Sequence, residues 1–280
     1  MHTSETPRVA IIGSGNMGGA LVRGWAAAVR SGLAPLHLTA TARTQATLDR
    51  IAADCPEVSV TLDNIAAVTA ADIVVIAVKP WLVADVIDSI RPALAASAGH
   101  PIVVSVAAGI TSDQLHAMVG GSIPCVYAMP NIAAEFGASM TFVESAPAAP
   151  ASTPATTPSA TEAVESAARL FGYVGAVQVV PSRLMAPGMM MAGSGIAYVM
   201  RFLRAMMEGG VEMGFYPADA RRIALQTMQG AVTLLEATGL HPEVAIDRVT
   251  TPGGITIKGL NQLDHSGFNS AVIKCLKAGL

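Results

Sequence analysis

Apolar and polar positions change rhythm once along this chain, near Pro181. Before that point, short β-rich apolar runs alternate with stretches of helical spacing, the pattern of a parallel sheet wrapped by helices. The predicted strands are 9–12, 36–40, 73–78, 102–106, 126–129, 139–143 and 176–180. Beyond Pro181 the strand signals stop. Long helical patterns follow, rich in Ala and in Met, among them Met185, Met189, Met190, Met191, Met200, Met206, Met207, Met213 and Met228. Methionine packs adaptably, and small residues such as Gly209 and Gly210 let helices approach closely. The predicted architecture is therefore α/β: an N-terminal Rossmann-type dinucleotide-binding domain, residues 1–181, followed by an all-α domain, residues 182–280. The Pro-, Ala- and Thr-rich segment 146–161 has too little apolar surface to offset its ordering entropy and reads as a mobile loop. Because strand-like residues follow it, it is placed inside the first domain.

The chain has 280 residues, enough for a sizeable core. Only 13% are charged, and the mean hydropathy is +0.50. Runs such as 73–78 are far shorter than the roughly 18–20 residues of a membrane span, so no membrane association is expected. Burial of the apolar excess between subunits is the expected outcome, as a homodimer or a higher oligomer of dimers. The helical half, about 100 residues, has too little surface of its own to hide so much apolar area. A formal net charge of -3 argues against a nucleic-acid partner. The three cysteines, Cys55, Cys125 and Cys275, form neither a metal-ligand spacing nor a disulfide framework, and no metal site is expected. No N-terminal segment has the pattern of a signal peptide, so the expected setting is the reducing cytoplasm.

The first predicted strand runs into Gly13-Ser-Gly-Asn-Met-Gly18, followed by the helical pattern Ala20, Leu21, Gly24, Trp25, Ala28. In the order strand, G-x-G-x-x-G, helix, this is a dinucleotide cradle. Gly13 permits the tight turn, Gly15 lets a pyrophosphate approach, Gly18 lets helix and strand pack, and the helix N-terminus offers N–H groups to phosphate. The second strand ends in Thr39-Ala-Thr-Ala-Arg-Thr44, without the carboxylate that would receive the ribose hydroxyl of NAD. Thr41, Arg43 and Thr44 supply the hydroxyls and cation that a 2′-phosphate wants, which favours NADPH, with NADH possible.

Two glycine turns in the helical half, Gly193-Ser-Gly-Ile-Ala-Tyr198 and Thr250-Thr-Pro-Gly-Gly-Ile-Thr256, each precede a predicted helix. Successive N–H groups at such turns form a nest for an anion, and a carboxylate is the natural small ligand. Gly254 is expected to need a positive φ there.

These pieces, with Ala77-Val-Lys-Pro80, Ser105-Val-Ala-Ala-Gly109 and Ala128-Met-Pro-Asn131, occur in an order and spacing that resembles the pyrroline-5-carboxylate reductase family over nearly the whole chain. The resemblance implies NADPH-dependent reduction of a cyclic imine to proline, with a helical dimerisation domain and an active site shared between subunits. It implies that Gly13, Ser14, Gly15, Asn16, Met17 and Gly18 cradle the pyrophosphate. Asn64, Val78, Lys79 and Pro80 would meet the nicotinamide and ribose side, while Ala107, Ala108, Pro130 and Asn131 line the nicotinamide. Thr251, Gly253, Gly254, Ile255 and Thr256 would hold the substrate carboxylate, with Ser194 opening the facing helix. Lys79, Ser194 and Thr256 are the residues it places nearest the chemistry. Positioning a protonated imine near the nicotinamide supplies most of what the reaction asks.

Five residues depart from that family's pattern. Ile132-Ala133 follow Met-Pro-Asn where Thr-Pro is usual, Ala192 and Ile196 stand where Ser and Pro are usual, and Met189 replaces a Thr at the mouth of the substrate pocket. A different cyclic imino acid is one alternative this opens. A β-hydroxyacid dehydrogenase is another, since Gly254-Ile-Thr-Ile-Lys258 with Asn261 imitates that family's lysine segment. A non-catalytic NADP-binding regulatory module is a third.

Overall fold

The computed structural model describes residues 6–97, 101–120, 123–146 and 158–280. Two compact units divide the chain, the first ending at Gly193 and the second spanning Ser194–Leu280.

The first unit is an eight-stranded sheet in the order β3-β2-β1-β4-β5-β6-β7-β8. Its strands are β1 (Arg8–Ile12), β2 (His37–Thr41), β3 (Val58–Thr61), β4 (Ile73–Ile76), β5 (Ile102–Ser105), β6 (Cys125–Met129), β7 (Ser139–Glu144) and β8 (Gly175–Val180). Its helices are α1 (Asn16–Arg30), α2 (Gln45–Asp54), α3 (Asn64–Thr69), α4 (Val83–Ala96), α5 (Ser112–Val119), α6 (Ala160–Gly172) and the single turn α7 (Met185–Gly188). Alternate strand residues sort to opposite faces. Val9 and Ile11 of β1 pack with Leu21, Trp25 and Phe171, while Ala10 and Ile12 pack with Val68, Ile87 and Leu94. With helices on both faces, β4 is buried throughout, so its sequence is an uninterrupted apolar run. The buried Trp25 indole donates to the Leu170 carbonyl at 2.9 Å, so burying its N–H leaves no donor unpaired.

Seven of these strands lie where the apolar runs predict them. The eighth, β3, was not predicted. Val58-Ser-Val-Thr61 is too short a run to stand out, and parallel pairing with β2 makes it a strand. The sheet is also not parallel throughout, because β7 runs antiparallel to β6. Only nine residues, 130–138, separate the end of β6 from the start of β7, and the intervening piece is a 3-10 turn, too short for a crossover helix. β4 stops at Ile76, short of the predicted Val78. The predicted loop 146–161 is cut short at its far end, where the Ser159 and Glu162 capping box starts α6 at Ala160. Residues 147–157 of that loop lie outside the described residues.

The compact boundary falls later than the expected break at Pro181. Met185 packs with Tyr127, Met129 and Val180, with Phe142 and Met189 against them, which holds 182–193 to the sheet. This segment passes from a 3-10 turn through α7 into a five-residue π-helix, Met189–Gly193.

The second unit consists of α8 (Gly195–Glu212), α9 (Pro217–Thr238), α10 (Pro242–Arg248), α11 (Ile255–His265) and α12 (Phe268–Lys277). Proline opens α9 and left-handed Gly239 closes it. Gly210 approaches Ala220 closely, whereas Gly209 faces open space within the protomer. The only buried side chains among its helices are small, Ala220 and Ala224, and large apolar residues such as Met200, Val211, Met213 and Ile273 lie open. Among the described residues, no helix is long and apolar enough to cross a membrane.

Candidate cofactor and substrate sites

The strand order reverses direction between β1 and β4, and ligands of open α/β sheets bind beyond the carboxyl ends of strands at such a point. The Gly13 turn sits there. Gly13 has φ +95, and a β-carbon on it would lie 2.6 Å from Val78 Cγ1. A β-carbon on Gly18 would run into the Gly13 carbonyl, so this glycine lets α1 lie against the turn. Gly15 is different: nothing in the protein lies within 4 Å of where its side chain would be. Its reason for being glycine is the space above it, which suits a close-approaching ligand. Gly15 is also the N-cap of α1 and offers no side-chain acceptor. The N–H groups of Asn16, Met17 and Gly18 thus open toward that space without intrahelical acceptors. A pyrophosphate fits this cradle in charge and in room.

Thr41 is buried at the end of β2, where its hydroxyl accepts the Gly13 N–H at 3.3 Å and its carbonyl accepts the Ser14 hydroxyl at 2.9 Å. Both side chains therefore shape the glycine turn. Arg43, two residues on, is exposed and has no hydrogen bond or ion pair among the described residues. It is the free cation at the position where a 2′-phosphate is expected. Asn64 is the first residue of α3, half-buried, beside the N-cap Asp63, whose carboxylate accepts the Ile65 and Ala66 N–H groups. Lys79 is exposed and caps the 3-10 turn that Pro80 begins.

Beyond β5, Ala107 is buried and Ala108 exposed. Beyond β6, Pro130 and Asn131 are buried. Asn131 is engaged within the unit at both ends of its amide. Its amide oxygen accepts the Ala133 N–H at 3.0 Å, its amide nitrogen donates to the Ala192 carbonyl at 3.3 Å, and its own N–H donates to Ser139 Oγ at 3.1 Å. This side chain therefore holds the 130–133 turn to the π-helix. Arg23 of α1 grips the same turn through an ion pair with Glu135 at 2.8 Å, and that contact raises its pKa further. Met189 packs toward Tyr127 and Met185, so the apolar replacement there is at least partly taken up by core packing.

In the second unit, the Thr251 turn has positive φ at Gly253, +71, and not at the predicted Gly254, where φ is −66. Gly254 is constrained by space, since a β-carbon would lie 2.5 Å from Thr251 Oγ1. Its N–H is already spent on the Thr251 carbonyl at 2.9 Å. The groups left open are the N–H groups of Ile255, Thr256 and Ile257 at the uncapped start of α11. The predicted nest at 193–198 is corrected: Ser194 has right-handed helical dihedrals and makes no side-chain cap, and Ala197 N–H already donates to the Ser194 carbonyl at 2.9 Å. Lys258, which imitates a dehydrogenase lysine, is an exposed residue of α11.

Ser105, which opens the Ser105-Val-Ala-Ala-Gly109 motif, holds the loop after β5 together with Tyr127 and Glu144. Sequence reasoning missed the last two, since Tyr127 lies inside an apolar strand and Glu144 at the end of another.

Residues 182–280 match the family model for pyrroline-5-carboxylate reductase dimerisation, and residues 8–109 match the model described as NADP oxidoreductase, coenzyme F420-dependent. Pyrroline-5-carboxylate reductase 1 of Dictyostelium discoideum is 36% identical over 95% of this chain, which spans only 47% of that relative's length. Pyrroline-5-carboxylate reductase 2 of the same organism is 34% identical, over 95% of this chain and 88% of its own. The structure of a pyrroline-5-carboxylate reductase from Coxiella burnetii superposes with a TM-score of 0.82 at 27% identity, covering 98% of this chain and 96% of that one.

Proposed function

The chain belongs to the pyrroline-5-carboxylate reductase family, and from that premise we propose that it reduces 1-pyrroline-5-carboxylate to L-proline with NADPH. The observation that carries this reading is the pair of uncapped helix N-termini behind glycine turns, one at α1 and one at α11, in a chain related to these reductases from end to end. The first suits a pyrophosphate and the second a substrate carboxylate.

When bound, NADPH supplies the hydride that forms the new C–H bond at the imine carbon, while the nitrogen carries a proton and NADP+ is left. The protein's part is to bind and align. Residues 13–18 hold the pyrophosphate, and Arg43 pairs with the 2′-phosphate. Asn64, Lys79 and Pro80 flank the ribose and nicotinamide side, and Ala107, Ala108 and the Pro130-Asn131 turn present a dry, shaped surface to the nicotinamide. The open N–H groups of α11, with the Thr256 hydroxyl, orient the imino acid by its carboxylate, and the Ser194 hydroxyl, at the start of α8, is assigned to the same ligand. Such alignment accounts for much of the barrier reduction available to a reaction of this type.

The helical unit serves as the homodimerisation domain, because its open apolar side chains find cover only on a second copy. The free, widely separated cysteines suit a reducing, cytoplasmic setting.

A panel of cyclic imino acids and 3-hydroxyacids, each assayed with NADPH and with NADH, tests the proposal. The expected result is turnover of 1-pyrroline-5-carboxylate, faster with NADPH. Oxidation of a 3-hydroxyacid with no turnover of any imine would overturn it.

A further inference from the structure

The loop between β5 and α5, residues 106–111, carries Ala107 and Ala108; Val106, Ala107 and Ile110 pack against the sheet's cores, while its tip, Ala108-Gly109, is exposed and has no such packing. Side chains from three strands hold it from beneath. Ser105 Oγ accepts the Ala107 N–H at 3.2 Å. The Tyr127 hydroxyl, from β6, accepts the Gly109 N–H at 2.9 Å. At the far end the Glu144 carboxylate, from β7, accepts both the N–H and the hydroxyl of Ser112, at 3.0 and 2.6 Å.

These pins are costly ones. Tyr127 is 4% exposed and Glu144 5%, and burying a hydroxyl or a carboxylate costs free energy unless its hydrogen bonds are made. Tyr127 spends its bond on the loop itself, and Glu144 spends its bonds on Ser112, the first residue of α5, where the loop ends. Tyr127 stands opposite Ser105 in the β5–β6 register, so two neighbouring strands grip consecutive turns of the loop. Gly109 has φ +79, which glycine adopts at no steric cost, and glycine has many other conformations open to it, so the hydrogen bond of its N–H helps select this one. Burial pushes the Tyr127 phenol up, so its hydroxyl is neutral throughout the working range. The Tyr127 ring packs on Met129 and Met185, which ties its position to the sheet's core and not to solvent.

We infer that Tyr127 and Glu144 are positioning residues, which hold residues 107–109 at a fixed depth against the nicotinamide and thereby set the hydride-transfer distance. The inference rests on the reductase reading above. Displacement of reacting atoms by about 1 Å costs on the order of a hundredfold in rate, so a loop held this way acts on the chemical step more than on affinity.

The test compares wild type with Tyr127→Phe, which keeps the ring and removes the acceptor, and with Glu144→Gln. Ile51→Val, a buried core change in α2, which packs at the β3 edge of the sheet and not beside the loop after β5, serves as the stability control. Three quantities are read: kcat and the KM for NADPH with the primary isotope effect from 4-deuterated NADPH, the fluorescence anisotropy of bound NADPH, and amide exchange at Gly109 and Ser112 in the free enzyme. Expected for Tyr127→Phe are a fall in kcat of about ten- to a hundredfold, a larger isotope effect, and a KM for NADPH within about threefold. Faster exchange at Gly109 and lower nicotinamide anisotropy should accompany it, with Glu144→Gln shifting Ser112 the same way. Wild-type kcat, isotope effect and anisotropy in Tyr127→Phe, with only a lowered Tm, would overturn the inference. So would an equal rise of the isotope effect in Ile51→Val. If the wild type turns over no cyclic imine, the substrate reading fails, and the anisotropy and exchange comparisons still judge the positioning role.

Discussion

Gly254 and Gly253 sit side by side and are glycine for different reasons. Gly253 has φ +71, where a β-carbon costs roughly 1–2 kcal/mol, and Gly254 has no room beside Thr251. Gly254→Ala should therefore raise the imino acid KM more than Thr256→Ala. Loss of the Thr256 hydroxyl from a charged ligand costs on the order of 1.5–3 kcal/mol, and the glycine change displaces every open N–H of the turn. Thr251→Ala should recover part of the Tm lost in Gly254→Ala by removing the nearest clashing atom. No recovery in the double variant would mean that crowding is not the constraint. Arg43 is the free cation at the end of β2, and Arg43→Ala should raise the KM for NADPH about ten- to a hundredfold while leaving that for NADH within twofold. Equal losses on both cofactors would remove the 2′-phosphate assignment. Burial pushes the Cys125 thiol up to about 12 and raises that of Cys55 as well. Both thiols are therefore neutral at pH 8, and mass spectrometry should find them alkylated by iodoacetamide only after unfolding.

At the scale of elements, α1 links the cofactor cradle to the turn after β6. Its N-terminus faces the space proposed for the pyrophosphate, while Gly24 near its middle lies so close to the Ala134 carbonyl that no side chain fits. Gly24→Ala should cost about 1–3 kcal/mol and lower Tm by several degrees. An unchanged Tm would show that the helix can slide to make room. The apolar rhythm made most elements legible, because a strand buried on both faces writes an uninterrupted run and a helix writes a stripe. It failed at β3, whose two valines carry too weak a signal, and at the direction of β7, since direction follows from connection and pairing and not from which residues are apolar. The anion nest expected at 193–198 failed for a related reason. Glycine and serine permit a helix to begin, but the chain was already helical on reaching them.

For the molecule as a whole, the outstanding fact is the second unit's lack of a core. Helices with side chains such as Met213 at 76% and Ile273 at 57% exposure have nothing large to bury within one protomer. The expected state is an obligate dimer, in which helicity and association are lost together. Sedimentation at nanomolar protein should find dimers, and folded, active monomers under those conditions would contradict this.

The two-part organisation, the cradle at Gly13–Gly18 and the turn before α11 were readable from residues alone. Each depends on properties local to a few positions: apolar period, a required φ, the missing cap at a helix start. What took the folded chain to reveal are engagements between distant residues. Thr41 is 28 positions from Gly13, whose N–H it receives, and Asn131 is 61 from Ala192, to which it donates. Tyr127 and Glu144 stand 18 and 32 positions from the backbone groups they hold. No local pattern encodes such pairs, because their partners meet only once the strands lie side by side and the chain has folded back on itself, so that burial leaves these polar atoms few places to bond.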